Sequence, residues 1–246
     1  MKTKAVLFTQ PGQAELQERE LPAVEKDLVL VRNEYTVISG GTERAYLMGM
    51  NNTRNQFPMV IGYCGIGRVM EIGEQVTKVA PGDRVIVYHG RHAKHSVVSQ
   101  SRLTKIENEE LDSLEAAFTV VASMGLGGVR KLEIELGESA MVMGLGLLGM
   151  FSVQFCRLSG CYPVIAADLN PERRALALQL GADYALDPAA ADFVEQVKSL
   201  TGGKGVRACV EVTGASVALQ QALQCASAQG RISLLGCTRV SDCPVD

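Results

Sequence analysis

The sequence predicts an α/β fold in two parts, a small antiparallel β barrel or sandwich followed by a doubly wound parallel sheet. Short apolar runs separated by turns, among them Pro11-Gly12 and Pro81-Gly82, occupy residues 1–105. From Glu138 onward, apolar strand candidates alternate with helix candidates, which is the pattern of a parallel sheet. A glycine-rich turn joins the first strand of this second part to its first helix.

The two parts divide into elements as follows. In the first we expect strands at residues 28–37, 67–72, 83–88 and 93–98, and a buried helix at 114–130. In the second we expect strands at 139–143, 163–167, 183–185, 207–212 and 231–235, separated by helices at 147–159, 171–180, 191–200 and 216–228. A doubly wound dinucleotide-binding sheet normally has six strands, so we expect the chain to stop before the sixth could form.

The turn after residue 143 has the spacing G-x-G-x-x-G, which is typical of dinucleotide binding when a strand precedes it and a helix follows. Gly144 allows a tight turn, Gly146 lets a pyrophosphate approach the backbone, and Gly149 lets the helix pack closely on the strand. The amides that open the helix, at Leu147 and Leu148, then face the phosphates.

Asp168 follows the second strand of this part, 19 residues beyond the last glycine of the turn. A carboxylate at this place accepts both ribose hydroxyl groups and repels a 2′-phosphate, so it favours NAD over NADP. Asn170 and Pro171 are good residues for the start of the next helix. Strand, helix, strand and acid therefore occur in the order that a dinucleotide fold needs.

Composition narrows the remaining possibilities. A net charge of −3 gives no reason to expect nucleic acid or an anionic membrane as a partner. The apolar start of the chain becomes polar at Thr9, too early for a signal peptide, and no apolar run is long enough to span a membrane. The seven cysteines are scattered without a C-x-x-C pair, which suits free thiols in a reducing compartment. We therefore expect a cytoplasmic protein.

Three further segments point to a family. They are Gly41-Thr42-Glu43-Arg44, the run from Ile61 to Val69, and Pro81-Gly82-Asp83-Arg84-Val85. With the glycine turn, they resemble the medium-chain dehydrogenase/reductase superfamily of alcohol dehydrogenases and quinone reductases, whose motifs are C-G-T-D, G-H-E-x-x-G-x-V and x-G-D-R-V. The resemblance covers nearly the whole chain. It implies a GroES-like β-barrel domain at residues 1–131 and a Rossmann dinucleotide-binding domain at 132–246.

The resemblance also implies features beyond this sequence. In the family, the chain returns to complete the first domain, and sixth strands commonly pair across a homodimer. This chain resembles a member that lacks its C-terminal segment, so the Rossmann domain is expected to be incomplete. We expect a full-length parent to be a homodimer and this form to lack that interface.

The residues at the positions where the family binds zinc depart from the family pattern. Zinc-dependent members hold the ion with a Cys, a His, and a Cys or Glu. Aligned without gaps, Gly40 takes the Cys position, Tyr63 the His position and Val120 the third position, while Cys64 replaces the Glu after the His. Glycine and valine have no donor atom. The four-cysteine structural zinc lobe also has no counterpart, so we expect no zinc.

The resemblance implies three residues for catalysis. Thr42 matches the threonine that hydrogen-bonds the substrate oxygen, and Tyr63 would place a phenol where zinc polarises that oxygen in the family. Glu43 matches an acid of the family that supports the residues in contact with the substrate without contacting the substrate itself. Two plainer interpretations stay open: Tyr63 fills the vacated metal site by packing, and Glu43 is a surface charge.

Other residues are candidates for cofactor or metal binding. Arg173 matches a basic residue near the ribose, although it also suits a solvated helix face. Four residues at the ends of the fourth and fifth strands lie on the cofactor side of the sheet, or serve as turns: Thr213, Gly214, Leu235 and Gly236. His89, His92 and His95 lie close in sequence. However, neighbours three apart on a strand point to opposite faces, so we expect surface or strand-end histidines instead of a metal site.

These observations lead to one expected function and two alternatives. We expect a zinc-independent NAD(H)-linked oxidoreductase acting on a small alcohol or carbonyl compound, with Thr42 and Tyr63 handling the proton. The variant G-G-T-E-R also resembles the bacteriochlorophyllide dehydrogenase-like branch. The alternatives are an NADPH-type quinone or enoyl reductase, which Asp168 disfavours, and a dinucleotide-binding protein without catalysis.

Overall fold

The computed structural model describes residues 1–238, and the chain divides into two compact units, one from Met1 to Val121 and one from Ala122 onward. The first unit contains β1 (Lys2–Gln10), β2 (Gln13–Glu20), β3 (Leu28–Val37), α1 (Gly40–Leu47), β4 (Met59–Val60), β5 (Cys64–Ile72), β6 (Arg84–Tyr88), β7 (His95–Ser99), β8 (Leu103–Lys105) and α2 (Ser113–Ala117). Helix α3 (Thr119–Arg130) contains the boundary. The domain boundary expected between residues 131 and 132 stays a prediction.

The first unit consists of two antiparallel sheets. The smaller has the order β2-β1-β4, and the larger has the order β7-β3-β5-β6-β8. Alternate residues of the larger sheet point inward and form an apolar core rich in valine, including Val29, Val31, Val69, Val85 and Val87. The antiparallel β domain expected from the sequence is confirmed.

The second unit contains β9 (Ala140–Met143), α4 (Leu147–Leu158), β10 (Val164–Ala167), α5 (Pro171–Gln179), β11 (Tyr184–Leu186), α6 (Phe193–Leu200), β12 (Val206–Glu211), α7 (Ser216–Cys225) and β13 (Ala226–Leu234). Its sheet is parallel and has the order β11-β10-β9-β12-β13. By order along the chain this is 3-2-1-4-5, as a doubly wound dinucleotide fold requires.

Both faces of this sheet are covered, because successive residues of each strand point to opposite sides. Ala140 and Val142 of β9 pack with α4 and α5 in one core, whereas Met141 and Met143 pack with α6 and α7 in the other. The helices therefore lie on both faces, and the predicted doubly wound sheet is confirmed. The prediction that the chain stops before a sixth strand concerns residues after 238, which lie outside those that the structure describes.

Two predicted helices differ from the structure. The helix expected at 114–130 is divided at Phe118, where the Thr119 hydroxyl donates a hydrogen bond to the Ala116 carbonyl at 2.8 Å and competes with the helical pattern. The helix expected at 216–228 ends at Cys225. Ala226 is extended and pairs with Val206 of β12, so sheet pairing overrides the weak helical preference of that segment.

Within residues 1–238, no helix is both long and apolar enough to cross a membrane.

Candidate functional site

The glycine turn after β9 has the geometry that its spacing predicts. Gly144 has φ +92°, and a Cβ there would lie 2.7 Å from a methyl group of Thr213. A Cβ on Gly149 would overlap the carbonyl oxygen of Gly144, so only glycine allows α4 to pack this closely. Gly146 has open space on its side-chain face. The turn therefore leaves room at the one glycine that a pyrophosphate would approach.

Helix α4 begins directly after this turn without a side-chain cap. Its N-cap is Gly146, which has no side chain to accept hydrogen bonds from the first turn. The first amides of any α-helix lack partners within the helix, and here they include Leu147 and Leu148. With the positive end of the helix dipole, these N–H groups fit an anionic ligand such as a pyrophosphate.

Asp168 lies at the carboxyl end of β10 and faces the glycine turn. Its side chain is only 11% exposed, and its Oδ2 accepts a hydrogen bond from the Leu145 amide at 2.7 Å. Oδ1 accepts one from the Asn170 amide at 2.8 Å. A carboxylate offers about four lone-pair sites, so roughly two remain for ribose hydroxyl groups. A guanidinium nitrogen of Arg173, which is more than half exposed, lies 3.7 Å from Oδ2.

The loops after β12 and β13 are joined by Glu211, a residue that the sequence analysis did not identify. Its carboxylate is buried and accepts hydrogen bonds from the amides of Thr213 at 2.6 Å and Gly214 at 3.1 Å. Its main-chain carbonyl accepts the amides of Leu235 at 2.8 Å and Gly236 at 2.9 Å. Glu211 therefore brings the four predicted loop residues together at the carboxyl edge of the sheet.

The first unit holds a second polar cluster around α1. The Tyr63 hydroxyl lies near the side chains of Ser39 and Thr42, whose hydrogen bonding lowers the pKa of the phenol. The Ser39 amide donates to Oε1 of Glu43 at 2.9 Å, so the glutamate stabilises the start of α1 in the manner of a capping box. The three predicted catalytic residues are thus brought together, and the surface interpretation of Glu43 is wrong because the residue is 4% exposed.

Glu43 has a histidine partner. Its Oε2 lies 2.7 Å from Nε2 of His92, and Nδ1 of His92 lies 2.8 Å from the Thr36 hydroxyl. The expectation of surface or strand-end histidines is wrong for His92, which is buried in a loop, whereas His95 is buried but does begin strand β7. His92 precedes β7 in a loop whose backbone packs against Gly62, and strand alternation therefore does not govern its direction. Sequence reasoning missed this pair because its members are 49 residues apart.

The protonation states in the cluster follow from burial. Burial raises the pKa of Tyr63 above its ordinary value, and hydrogen bonds from Ser39 and Thr42 offset this only in part. Burial, with the nearby charge of Glu43, raises the pKa of Cys64 to about 12. At neutral pH, Tyr63 is therefore a hydrogen-bond donor and Cys64 a neutral thiol.

The residues at the family's zinc positions do not fit a zinc ion. Gly40 begins α1 without a side chain, and Val120 is a buried hydrocarbon. Both ring nitrogens of His92 are engaged, and Glu43 is already held by two donors. Across the residues that the structure describes, no group of three or more His, Cys, Asp or Glu side chains is placed to bind a metal.

Comparison with known proteins places the chain in a family. Residues 25–134 match the alcohol dehydrogenase GroES-like domain, and residues 148–245 match the zinc-binding dehydrogenase domain. The L-threonine 3-dehydrogenase of Pyrococcus horikoshii is 32% identical, with 96% of this chain and 76% of the relative covered. An alcohol dehydrogenase of Cupriavidus necator is 26% identical, with 95% and 76% covered.

Solved structures agree on the fold. A Sinorhizobium meliloti structure described as a zinc-binding dehydrogenase bound to NADP has a TM-score of 0.89 and 26% identity, covering 100% of this chain and 80% of that one. The benzyl alcohol dehydrogenase of Acinetobacter calcoaceticus has a TM-score of 0.90 at 19% identity, covering 100% and 80%. The order of a GroES-like domain and a Rossmann-like domain is thereby confirmed. The chain belongs to the medium-chain dehydrogenase/reductase superfamily and is an alcohol dehydrogenase-like oxidoreductase.

Proposed function

We propose that this protein is a zinc-independent, NAD(H)-linked oxidoreductase that transfers a hydride between nicotinamide and a small alcohol or carbonyl compound. The main support is the position of the Tyr63 phenol, near Thr42 and Ser39 and where family members place a zinc-ligating histidine. Gly40 and Val120 offer no metal donor. A phenol in this environment supplies a hydrogen bond to a substrate oxygen without a metal.

The bound dinucleotide would supply the hydride donor or acceptor at its nicotinamide ring. The chain's own residues handle the oxygen and its proton. In carbonyl reduction, Tyr63 donates a hydrogen bond to the oxygen on which negative charge develops. Thr42 and Ser39 hold the phenol in position, and Glu43 fixes the start of α1 that carries Thr42. The raised pKa of Tyr63 keeps its proton in place until the oxygen is basic enough to take it.

The cofactor preference that we propose is NAD. Asp168 is nearly buried beside the glycine turn, and its carboxylate would repel the 2′-phosphate of NADP. Two observations favour NADP instead. The Sinorhizobium relative binds NADP, and Arg173 lies close enough to Asp168 to contact a 2′-phosphate. Asp168 has the stronger effect on cofactor preference, because Arg173 is more than half exposed and solvent screens its charge.

The remaining parts of the proposal concern the protein's setting. We propose a cytoplasmic enzyme whose partner is a small alcohol or carbonyl compound, as the names of the threonine and alcohol dehydrogenase relatives suggest. A quinone or enoyl reductase and a non-catalytic dinucleotide-binding protein stay as alternatives. The first would prefer NADPH and quinones, and the second would bind the cofactor without turnover.

A substrate screen tests the proposal. Purified protein is incubated with NADH or NADPH and a panel of aldehydes, ketones and quinones, and the reverse reaction is tested with alcohols. We expect NADH-dependent reduction of carbonyl compounds. The substitution Tyr63→Phe should lower kcat by about 100-fold or more, which is the usual contribution of a positioned proton donor. Tyr35→Phe, an exposed tyrosine of the same unit, is the matched control and should leave kcat unchanged.

Turnover that survives Tyr63→Phe within a factor of two would remove the phenol from the mechanism. Tight NADH binding without turnover of any compound would favour the non-catalytic alternative.

A further inference from the structure

The first unit contains a cavity of about 250 Å³ that the proposed reaction does not use. Three arginines line it: Arg19 at the end of β2, Arg91 in the loop before β7, and Arg102 just before β8. His89 and His95 line it as well. We call this cavity the arginine cleft. Glu20 is the one carboxylate residue among its lining residues.

None of these arginines is neutralised by an acidic side chain. Within residues 1–238, the guanidinium groups of Arg19, Arg91 and Arg102 form no ion pair and no hydrogen bond, although the main-chain amide of Arg91 donates to the Ser96 hydroxyl at 3.3 Å. Most arginines elsewhere do have a carboxylate within 4 Å, namely Arg68, Arg84, Arg157, Arg173, Arg174, Arg207 and Arg231. Three arginines without an acidic partner around a single cavity form a local concentration of positive charge.

The charges in the cleft repel one another. Partial desolvation lowers the pKa of Arg91, and the neighbouring charges of Arg102 and Arg54 lower it further. Desolvation likewise lowers the pKa of His89, again with contributions from Arg102 and Arg91. Like charges in proximity destabilise a fold unless a counter-charge offsets them. An anion bound among these groups would remove that cost.

The backbone around Arg91 is held in place by several hydrogen bonds. The His92 amide donates to the Ile61 carbonyl at 2.9 Å, and the Val6 amide donates to the His92 carbonyl at 2.8 Å. His89 adopts a left-handed backbone conformation, φ +57°, while its amide donates to the Tyr63 carbonyl at 3.0 Å. A non-glycine residue in this conformation persists only where its surroundings enforce it. The side chains of Arg19, Arg91 and Arg102 are exposed, so solvent screens each charge singly, but the loop presents Arg91 from a fixed backbone beside the other two.

We propose that the arginine cleft binds a small organic oxyanion through a carboxylate or phosphate group. The guanidinium fork matches the paired oxygens of both groups, and several arginines together suit a doubly charged one. The volume lies just below the range of about 300–1,000 Å³ that is typical of drug-sized ligands, so the bound molecule is small. His89 places the site next to the Tyr63 cluster, since its ring centre is 6.3 Å from that of Tyr63.

Binding is measured by calorimetry in a low-chloride buffer, with inorganic phosphate and citrate as the two probes and glycerol as the neutral control. The double variant Arg91→Gln/Arg102→Gln should bind either anion about tenfold to a hundredfold more weakly, the usual effect of losing a charge-assisted contact. Arg130→Gln removes an exposed arginine of α3 and should leave binding unchanged. The comparison of phosphate with citrate shows which oxyanion chemistry the cleft prefers.

A second readout comes from His89. Its pKa, followed by NMR titration of the imidazole, should rise when phosphate is added, because a bound anion offsets Arg91 and Arg102. The double variant should fold normally, since it relieves repulsion, and thermal unfolding checks this. The proposal fails if neither anion saturates the wild type below about 10 mM, which is weaker than ordinary ligand affinities. It also fails if the double variant binds equally well.

Discussion

The buried pair of Glu43 and His92 allows the sharpest prediction about the first unit. The carboxylate and the ring are both nearly inaccessible to solvent, and their polar atoms are 2.7 Å apart. A charge-assisted hydrogen bond contributes about 1.5–3 kcal/mol, and removing one member of a buried pair costs about 3–5 kcal/mol because the other is left unpaired. We therefore expect His92→Phe to lower the free energy of unfolding by about 3 kcal/mol or more. Glu43→Gln, which keeps an acceptor for the Ser39 amide, should cost about 2 kcal/mol.

The assay is a double-mutant cycle in urea, followed by circular dichroism. The two losses should not add: the coupling energy should be about 1.5–3 kcal/mol, because the double variant Glu43→Gln/His92→Phe leaves no charged partner unpaired. The pair of Glu34 and Arg68, 3.1 Å apart with side chains 23% and 43% exposed, is the control. Its coupling should stay below about 1 kcal/mol because solvent screens it. Equal coupling in the two cycles would refute the claim that burial makes the Glu43 pair strong.

Three further outcomes follow from the sites. Asp168→Ala should weaken NADH binding about tenfold to a hundredfold and narrow the preference for NADH over NADPH, measured by fluorescence titration. The control, Asp187→Ala, removes a partly exposed carboxylate that pairs with Arg174 and should change neither quantity. An unchanged preference in Asp168→Ala would refute the proposed contact between Asp168 and the ribose. Carbonyl reduction should retain its Tyr63-dependent rate up to pH 10, because the raised pKa keeps the phenol protonated, and a loss near pH 8 would contradict this. The fold favours the neutral Cys64 thiol, whose pKa is about 12 against an ordinary 9.0, so this stabilisation is complete below pH 9 and declines as pH rises towards 12. Urea unfolding of Cys64→Ala should therefore depend less on pH over that range, and parallel curves would refute the assignment.

The second unit could be predicted closely because its signals are local. The three glycines, the helix start at Asn170-Pro171 and the acid after β10 are each separated by a short span of sequence. Each satisfies a steric or hydrogen-bonding requirement of its own neighbourhood, such as the overlap that a Cβ on Gly149 would create. The strand order follows from connection rules that apply to all such sheets.

The polar pairs of the first unit could not be predicted in the same way. Glu43 meets His92 only because α1 and the loop before β7 are brought together by two antiparallel sheets. The arginine cleft likewise joins residues from the ends of several strands. Glu211 was missed for another reason: a glutamate at the end of an apolar strand resembles a surface residue until its amide partners, Thr213 and Gly214, are known.

The central claim is that hydride transfer in this protein proceeds without zinc, and one measurement tests it most directly. The protein is dialysed against a strong chelator, its zinc content is measured by elemental analysis, and NADH-dependent carbonyl reduction is assayed before and after zinc is restored. We predict that the metal-free protein retains its full kcat and that added zinc does not raise it, because Gly40 and Val120 supply no ligand and we propose that Tyr63 donates to the substrate oxygen. Activity that is lost with the metal and regained with one zinc per chain would contradict the account.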